Sequence, residues 1–219
     1  MLKCILFDLD GTIGNTLPLC IAAFKKAIEP LAGRALSDQE IIDTFGPSEE
    51  GTVRALIPDD YDQGIADYLA HYRELHPLCP APFDGMVEVL EYALSLGIRL
   101  GMVTGKGRHS TAITLDVFGI GSYFDVIETG SPYGPRKTEG ILNALNLLGV
   151  NPQESVYVGD APSDISASRE AGVPVISAAW AETADRKLLE SMCPDEFFTS
   201  VMELKLYLEQ RAGNPLASS

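Results

Sequence analysis

Cys4-Ile5-Leu6-Phe7-Asp8-Leu9-Asp10-Gly11-Thr12 is the stretch that decides how this chain folds. Four apolar residues run into two aspartates, a glycine and a threonine. That is the pattern of a strand buried on both faces and ended by a polar turn. Comparable short apolar runs recur at residues 98–103, 126–127, 155–158 and 173–176. Between them, residues 86–95, 140–148 and 163–171 carry apolar side chains at helical spacing. Strand alternating with helix predicts an α/β fold, a Rossmann-like parallel sheet covered on both faces.

The stretch that follows the first strand has a different texture. Residues 19–28, 38–45, 49–56 and 61–76 read as helices, with no strand among them. Ser37-Asp38-Gln39-Glu40 has the form of a capping box ahead of one helix. Gly46-Pro47 and Ile57-Pro58 punctuate the rest. The economical division is a core of residues 1–15 and 83–219, with a helical insert over 16–82. The polar tail 213–219 is expected to fray.

Composition narrows the function classes. With 219 residues, 46% hydrophobic and 21% charged, the chain can bury a full core without disulfides or a structural metal. Lys and Arg number 16 against 31 Asp and Glu, a net charge of −15, and such a field repels nucleic acid and acidic membrane surfaces. A small phosphorylated metabolite remains compatible, because a bound cation and one or two lysines can invert the potential inside one cleft. Cys4, Cys20, Cys79 and Cys193 show no metal-ligand spacing, and the N-terminal apolar run reaches Asp8 too soon for a signal segment. The expectation is a cytoplasmic protein with reduced cysteines and no membrane span. No heptad is visible, so a monomer is the default, with a dimer the alternative.

In a doubly wound sheet the site lies beyond the carboxyl ends of the strands. The ends here give Asp8, Asp10, Gly11 and Thr12, then Thr104-Gly105-Lys106, then Gly159-Asp160 with Asp164 shortly after, while Lys137 precedes a helix. Like charges ~4 Å apart repel by about 4 kcal/mol at an effective dielectric of ~20, so this group of carboxylates calls for a cation. Oxygen ligands without His or Cys suit Mg²⁺. Lys137 and the Thr104 hydroxyl supply donors for a phosphoryl group. The inventory is that of phosphoryl transfer.

Asp8-Leu9-Asp10-Gly11-Thr12, then Thr104, then Lys137, then Gly159-Asp160-Ala161-Pro162-Ser163-Asp164, resembles the haloacid dehalogenase superfamily, most of whose members are Mg²⁺-dependent phosphatases. The likeness covers residues 1 to about 200. The helical insert looks like the C1 cap of its phosphoglycolate phosphatase and β-phosphoglucomutase branch. The resemblance implies a nucleophile at Asp8, forming an aspartyl-phosphate, and a general acid and base at Asp10. It implies a Mg²⁺ site at Asp8, the Asp10 backbone carbonyl, Asp160 and Asp164. Gly11, Thr104, Gly105 and Lys137 would cradle the transferring oxygens. A phosphoglycolate-like ester or a sugar phosphate is the substrate it suggests. A phosphosugar mutase and a pyrophosphatase use the same core, and a non-catalytic binding module on this scaffold is the alternative from another class.

Two departures from the family pattern stand out. Ile13-Gly14-Asn15-Thr16 replaces a common Leu-Val-Asp-Ser, leaving Asn15 to cap the next helix, and Lys137-Thr138 replaces a common Lys-Pro. Lys106, Arg108 and His109 read as a solvated loop or a place for a substrate tail. Arg54, His71, Arg73 and His76 are cleft candidates weighed against a solvated helical face. Trp180 reads as packing, and Cys4 and Cys20 as small core residues.

Overall fold

A computed structural model describes residues 1–212, and the tail expected to fray lies outside the described residues. Strands β1 (Cys4–Phe7), β2 (Arg99–Val103), β3 (Val126–Glu128), β4 (Ser155–Gly159), β5 (Val175–Ala178) and β6 (Glu196–Phe198) form one parallel sheet in the order β3-β2-β1-β4-β5-β6. The chain builds outward from β1 in one direction through β3, then returns to β1's other side with β4. The crevice between the carboxyl ends of β1 and β4 is therefore the switch point where such sheets bind ligands. Phe7 pairs with Met102 on one side and Val158 on the other, so Asp8, Thr104 and Asp160 follow strands that end level with one another.

Alternation along the strands sorts the core into two layers. Ile5, Phe7, Leu100, Met102, Val156 and Val158 face one way, against α5 (Met86–Ser95) and α10 (Val201–Ala212). Cys4, Leu6, Val103, Tyr157 and Val175 face the other, against α7 (Lys137–Leu148), α8 (Pro162–Glu170) and α9 (Arg186–Ser191). Burial on both faces explains why β1 reads as an unbroken apolar run. The sequence reading missed β6, whose Glu196, Phe197 and Phe198 are only half-buried at the sheet edge.

Four helices lie between β1 and α5: α1 (Leu17–Ala32), α2 (Asp38–Ile42), α3 (Glu49–Leu56) and α4 (Tyr61–Leu75). The capping box at Ser37 is present, with the Ser37 hydroxyl accepting from the Glu40 amide and the Glu40 carboxylate accepting from the Ser37 amide at 2.9 Å. Asn15 does not cap α1. Thr16 occupies that place, and the Asn15 side-chain oxygen is buried without a partner.

A file of rings joins these helices to the core. Phe24 stacks on Tyr68 at 4.3 Å between centroids, Tyr68 on Tyr72 at 5.7 Å, and His76 meets Tyr72 and Phe118 edge-on at 5.4 and 5.5 Å. Phe118 belongs to α6 (Arg108–Phe118), the core helix after β2. On the same helix, the Thr114 hydroxyl meets the Tyr72 hydroxyl at 2.8 Å and His76 Nε2 at 3.1 Å. Such ring pairs each contribute about 0.5–1.5 kcal/mol beyond their burial. Among the described residues, no helix is long and apolar enough to cross a membrane.

Candidate active site

The carboxyl ends of β1, β2 and β4 and the start of α7 bring together the residues that the four sequence motifs supply. A carboxylate oxygen each from Asp8, Asp160 and Asp164 lies within 4.8 Å of the other two. Asp8 Oδ2 accepts from Lys137 Nζ at 3.0 Å, and Lys137 also pairs with Asp164. Asp8 Oδ1 is buried with no partner at all. Asp160 Oδ1 accepts from the Thr12 hydroxyl at 2.9 Å. Asp164, fully buried, accepts from the Ala161 amide at 2.8 Å and the Tyr157 hydroxyl at 3.2 Å, so it both starts α8 and faces the site.

Gly11 is required by two constraints. Its φ is +80°, and a Cβ there would stand 2.1 Å from Asp160 Oδ2. The turn after Asp10 can thus lie directly against the second carboxylate only without a side chain. Trp180, read as packing, donates its indole N–H to the Thr12 carbonyl at 3.0 Å and so holds this turn. Gly130 has a comparable role that the sequence did not signal. Its amide bonds the Lys106 carbonyl at 2.7 Å, and a Cβ would meet the Gly105 carbonyl oxygen at 1.9 Å.

Burial dominates the electrostatics. It raises the Asp8 pKa to about 6, with Lys137 opposing and Asp164 and Asp10 adding to the rise. Burial also drives Asp160 well above the usual carboxylate range, reinforced by Asp164 and Asp8. Lys137 loses hydration on burial, yet Asp164 and Asp8 hold its pKa above that of an ordinary lysine. Three carboxylates facing one ammonium, with one buried oxygen left unpaired, make a donor set short of positive charge. It fits a hard divalent cation taking oxygen ligands, Mg²⁺ among them.

The Asp10 carboxylate stands outside that cluster. Thr16 donates to its Oδ1, and Lys106 Nζ lies 3.3 Å from Oδ1 and 3.5 Å from Oδ2. Its side chain is 25% exposed against 8% for Asp8, so of the two, both of which line the cavity, Asp10 is the more open. Lys106 departs from the solvated-loop reading. It is 1% exposed, 3.4 Å from Glu49, 3.1 Å from Cys20 Sγ and 4.4 Å above the Tyr72 ring. The Cys20 thiol, pushed up to about 12 mainly by burial, lies beside this ion pair and lines the cavity, so it is more than core filling.

Glu49 was not singled out from the sequence. It begins α3, and its carboxylate accepts from the Gly107 amide, the Ser110 hydroxyl and, at 3.4 Å, the Tyr68 hydroxyl. A glutamate in the first turn of a helix ordinarily reads as favourable to the helix dipole, so nothing local distinguished it. Arg54, by contrast, lies over the Tyr61 and Tyr133 rings, His71 pairs with Glu74, and His76 is buried on Thr114. None of those cap candidates, nor Arg73, which lines a second cavity with His109, lines the cavity over the Asp8 cluster. That cavity, about 320 Å³, has the Asp8 cluster as its floor and the inserted helices as its roof.

Comparison with known proteins agrees with this geometry. The family model described as haloacid dehalogenase-like hydrolase matches residues 5–178. The chain is 32% identical over 202 residues to the pyrophosphatase PpaX of Bacillus pumilus, covering 91% of this chain and 93% of that one. It is 31% identical over 201 residues to the phosphoglycolate phosphatase of Thiobacillus denitrificans, with 86% and 88% covered. A haloacid dehalogenase-like hydrolase family protein of Streptococcus pneumoniae superposes with a TM-score of 0.76 at 25% identity, over 94% of this chain and 98% of that one. Fold, motif order and relatives agree that the chain belongs to the haloacid dehalogenase-like hydrolases and is an enzyme of their phosphatase and pyrophosphatase kind.

Proposed function

We propose that the protein is a Mg²⁺-dependent phosphomonoester hydrolase that turns over a small phosphorylated metabolite through an aspartyl-phosphate at Asp8. The observation that carries this reading is the pairing of two carboxylates with different surroundings. Asp8 is enclosed and oriented by Lys137, whereas Asp10, two residues on, is more open to the cavity. Asp8 and Asp160, with Asp164 beside them and the Asp10 backbone carbonyl, would hold Mg²⁺. Bound there, the ion supplies positive charge that keeps these carboxylates ionised and attracts the phosphate oxygens.

The residues divide the chemistry as follows. Lys137 pins Asp8 Oδ2 and orients the carboxylate for in-line attack on phosphorus. As the ester bond breaks, Asp10 gives a proton to the leaving oxygen. Asp10 then takes a proton from the water that attacks the phosphorus of the acyl phosphate, and phosphate leaves with Asp8 regenerated. Thr16 and Lys106 hold the Asp10 side chain for both transfers. The Thr104 hydroxyl, which lines the cavity, and the amides near Gly11 and Gly105 would supply donors to the transferring oxygens. The helices over 16–82 act as one cap that excludes bulk water.

The test is phosphate release from a panel of small esters and pyrophosphate, with Mg²⁺ and with EDTA, using the protein and its Asp8→Asn variant. Metal-dependent release lost in the variant supports the reading. Isomerisation of a sugar phosphate that depends on a bisphosphate primer, without release, would replace it with a mutase.

A further inference from the structure

The roof of the cavity carries information about the leaving group, because whatever extends from the phosphoryl end must touch the inserted helices. Leu17, Cys20, Phe24, Phe45, Pro47 and Tyr68 form most of that surface. Most of its side-chain polar atoms already have partners. The Tyr68 hydroxyl is bonded to Glu49, and the Thr52 hydroxyl to Thr44 at 3.2 Å. Glu49 is taken up by Ser110, the Gly107 amide and Lys106. A sugar hydroxyl placed against these side chains would give up water for few partners, weakening binding by about five- to 150-fold for each one left unpaired.

Positive charge is equally committed. Among the described residues the inserted helices bring no Lys, Arg or His to the cavity wall, only the carboxylate of Glu49. Three cations of the core do line it. Lys137 belongs to Asp8 and Asp164, and Lys106 to Asp10 and Glu49. Arg136 is held by Glu128 at 3.2 Å, Glu139 at 2.8 Å and the Thr129 carbonyl at 3.0 Å. A second anionic group on the substrate would meet Glu49 with no free cation beside it.

We infer that the substrate is a monophosphate ester of an uncharged alcohol with an apolar body about the size of one ring, and that esters bearing a second anionic group are disfavoured. The inference rests on the hydrolase reading and narrows it. It also sets this cavity apart from the leaving groups implied by the names of the two relatives, a second phosphate and a glycolate, both of which are anionic. The volume, about 320 Å³, is at the small end for a ligand site, which matches one phosphoryl group plus one ring.

The experiment compares kcat/KM with Mg²⁺ for benzyl phosphate, ethyl phosphate, phosphoglycolate and inorganic pyrophosphate. Phosphoglycolate is ethyl phosphate with its methyl exchanged for a carboxylate, so that pair isolates the charge. One methylene buried from water is worth about a fourfold change, so benzyl phosphate is expected to exceed ethyl phosphate by at least about tenfold. Ethyl phosphate is expected to exceed phosphoglycolate by about tenfold or more. Phe45→Arg places a cation on the roof at a side chain that already reaches solvent, and it should move the phosphoglycolate-to-ethyl ratio up by about two- to fivefold. Phosphoglycolate or pyrophosphate turned over faster than both uncharged esters would overturn the inference and leave the hydrolase standing. A folded Phe45→Arg protein that keeps the original ratio would overturn it equally. No release from any of the four, with Mg²⁺ present, would instead remove the hydrolase reading itself.

Discussion

Replacing Asp8 by Asn should abolish turnover and at the same time stabilise the metal-free protein. The Asp8 pKa, raised from 3.8 to about 6, means the folded state holds a proton that the unfolded state has released between those two values. Stability therefore falls as pH rises through that window, and the deficit is complete above about pH 6. A shift of this size corresponds to about 3 kcal/mol. Asparagine keeps the shape and cannot ionise, so it escapes the penalty. For a chain of this length each kcal/mol moves Tm by about 2–4 °C, so in EDTA at pH 7.5 the variant should melt about 6–12 °C above the parent. At pH 5 the parent is mostly protonated and the gap should shrink. Mg²⁺ should raise the parent's Tm at pH 7.5 by much more than the variant's. Thermal denaturation monitored by circular dichroism, with and without metal at both pH values, reads all of this. A variant less stable than the parent in EDTA at pH 7.5, or a gap unchanged at pH 5, would refute the electrostatic argument.

Gly11→Ala forces a Cβ to within 2.1 Å of Asp160 Oδ2 at a φ of +80°. It should cost about 1–3 kcal/mol in urea unfolding and weaken Mg²⁺ binding, measured by titration calorimetry. Lys106→Met leaves Asp10 and Glu49 facing each other without their buried counter-charge, so unfolding free energy should drop by about 3–5 kcal/mol and phosphate release should fall with it. A fully stable Lys106→Met protein would show that this ion pair is not structural. Thr114→Val removes the partner of the Tyr72 hydroxyl and of His76 Nε2, and should destabilise by about 1–3 kcal/mol in denaturant melts.

Much of the architecture was legible because β1, β2 and β4 are buried on both faces and so read as apolar runs, each ending at a residue of the site. Strand ends that chemistry needs are polar against an apolar background, which is why Asp8, Thr104 and Asp160 stood out. Lys137 stood out less, being at the start of a helix, and only the fold brings it 3.0 Å from Asp8 across 129 residues of chain. Glu49 and Lys106 were not legible as a pair, since each looks like an ordinary surface charge until α3 is laid over the loop after β2. Gly130 escaped for a similar reason, because its need for a bare backbone arises from Gly105, far from it in local pattern. β6, an edge strand, lacks the two-sided burial that marks β1, β2, β4 and β5. Asn15 carried the residue type of a helix cap, but Thr16 takes the cap position and spends its hydroxyl on Asp10.

The central claim is that the phosphoryl group passes through the Asp8 side chain. Quenching the enzyme in acid during turnover of a good ester, reducing the trapped acyl phosphate with borohydride and mapping the product by mass spectrometry tests it directly. The expected result is conversion of Asp8, and of no other residue, to homoserine, in an amount that depends on Mg²⁺. Steady phosphate release with position 8 unmodified, or with the label at Asp10, Asp160 or Asp164, would contradict it.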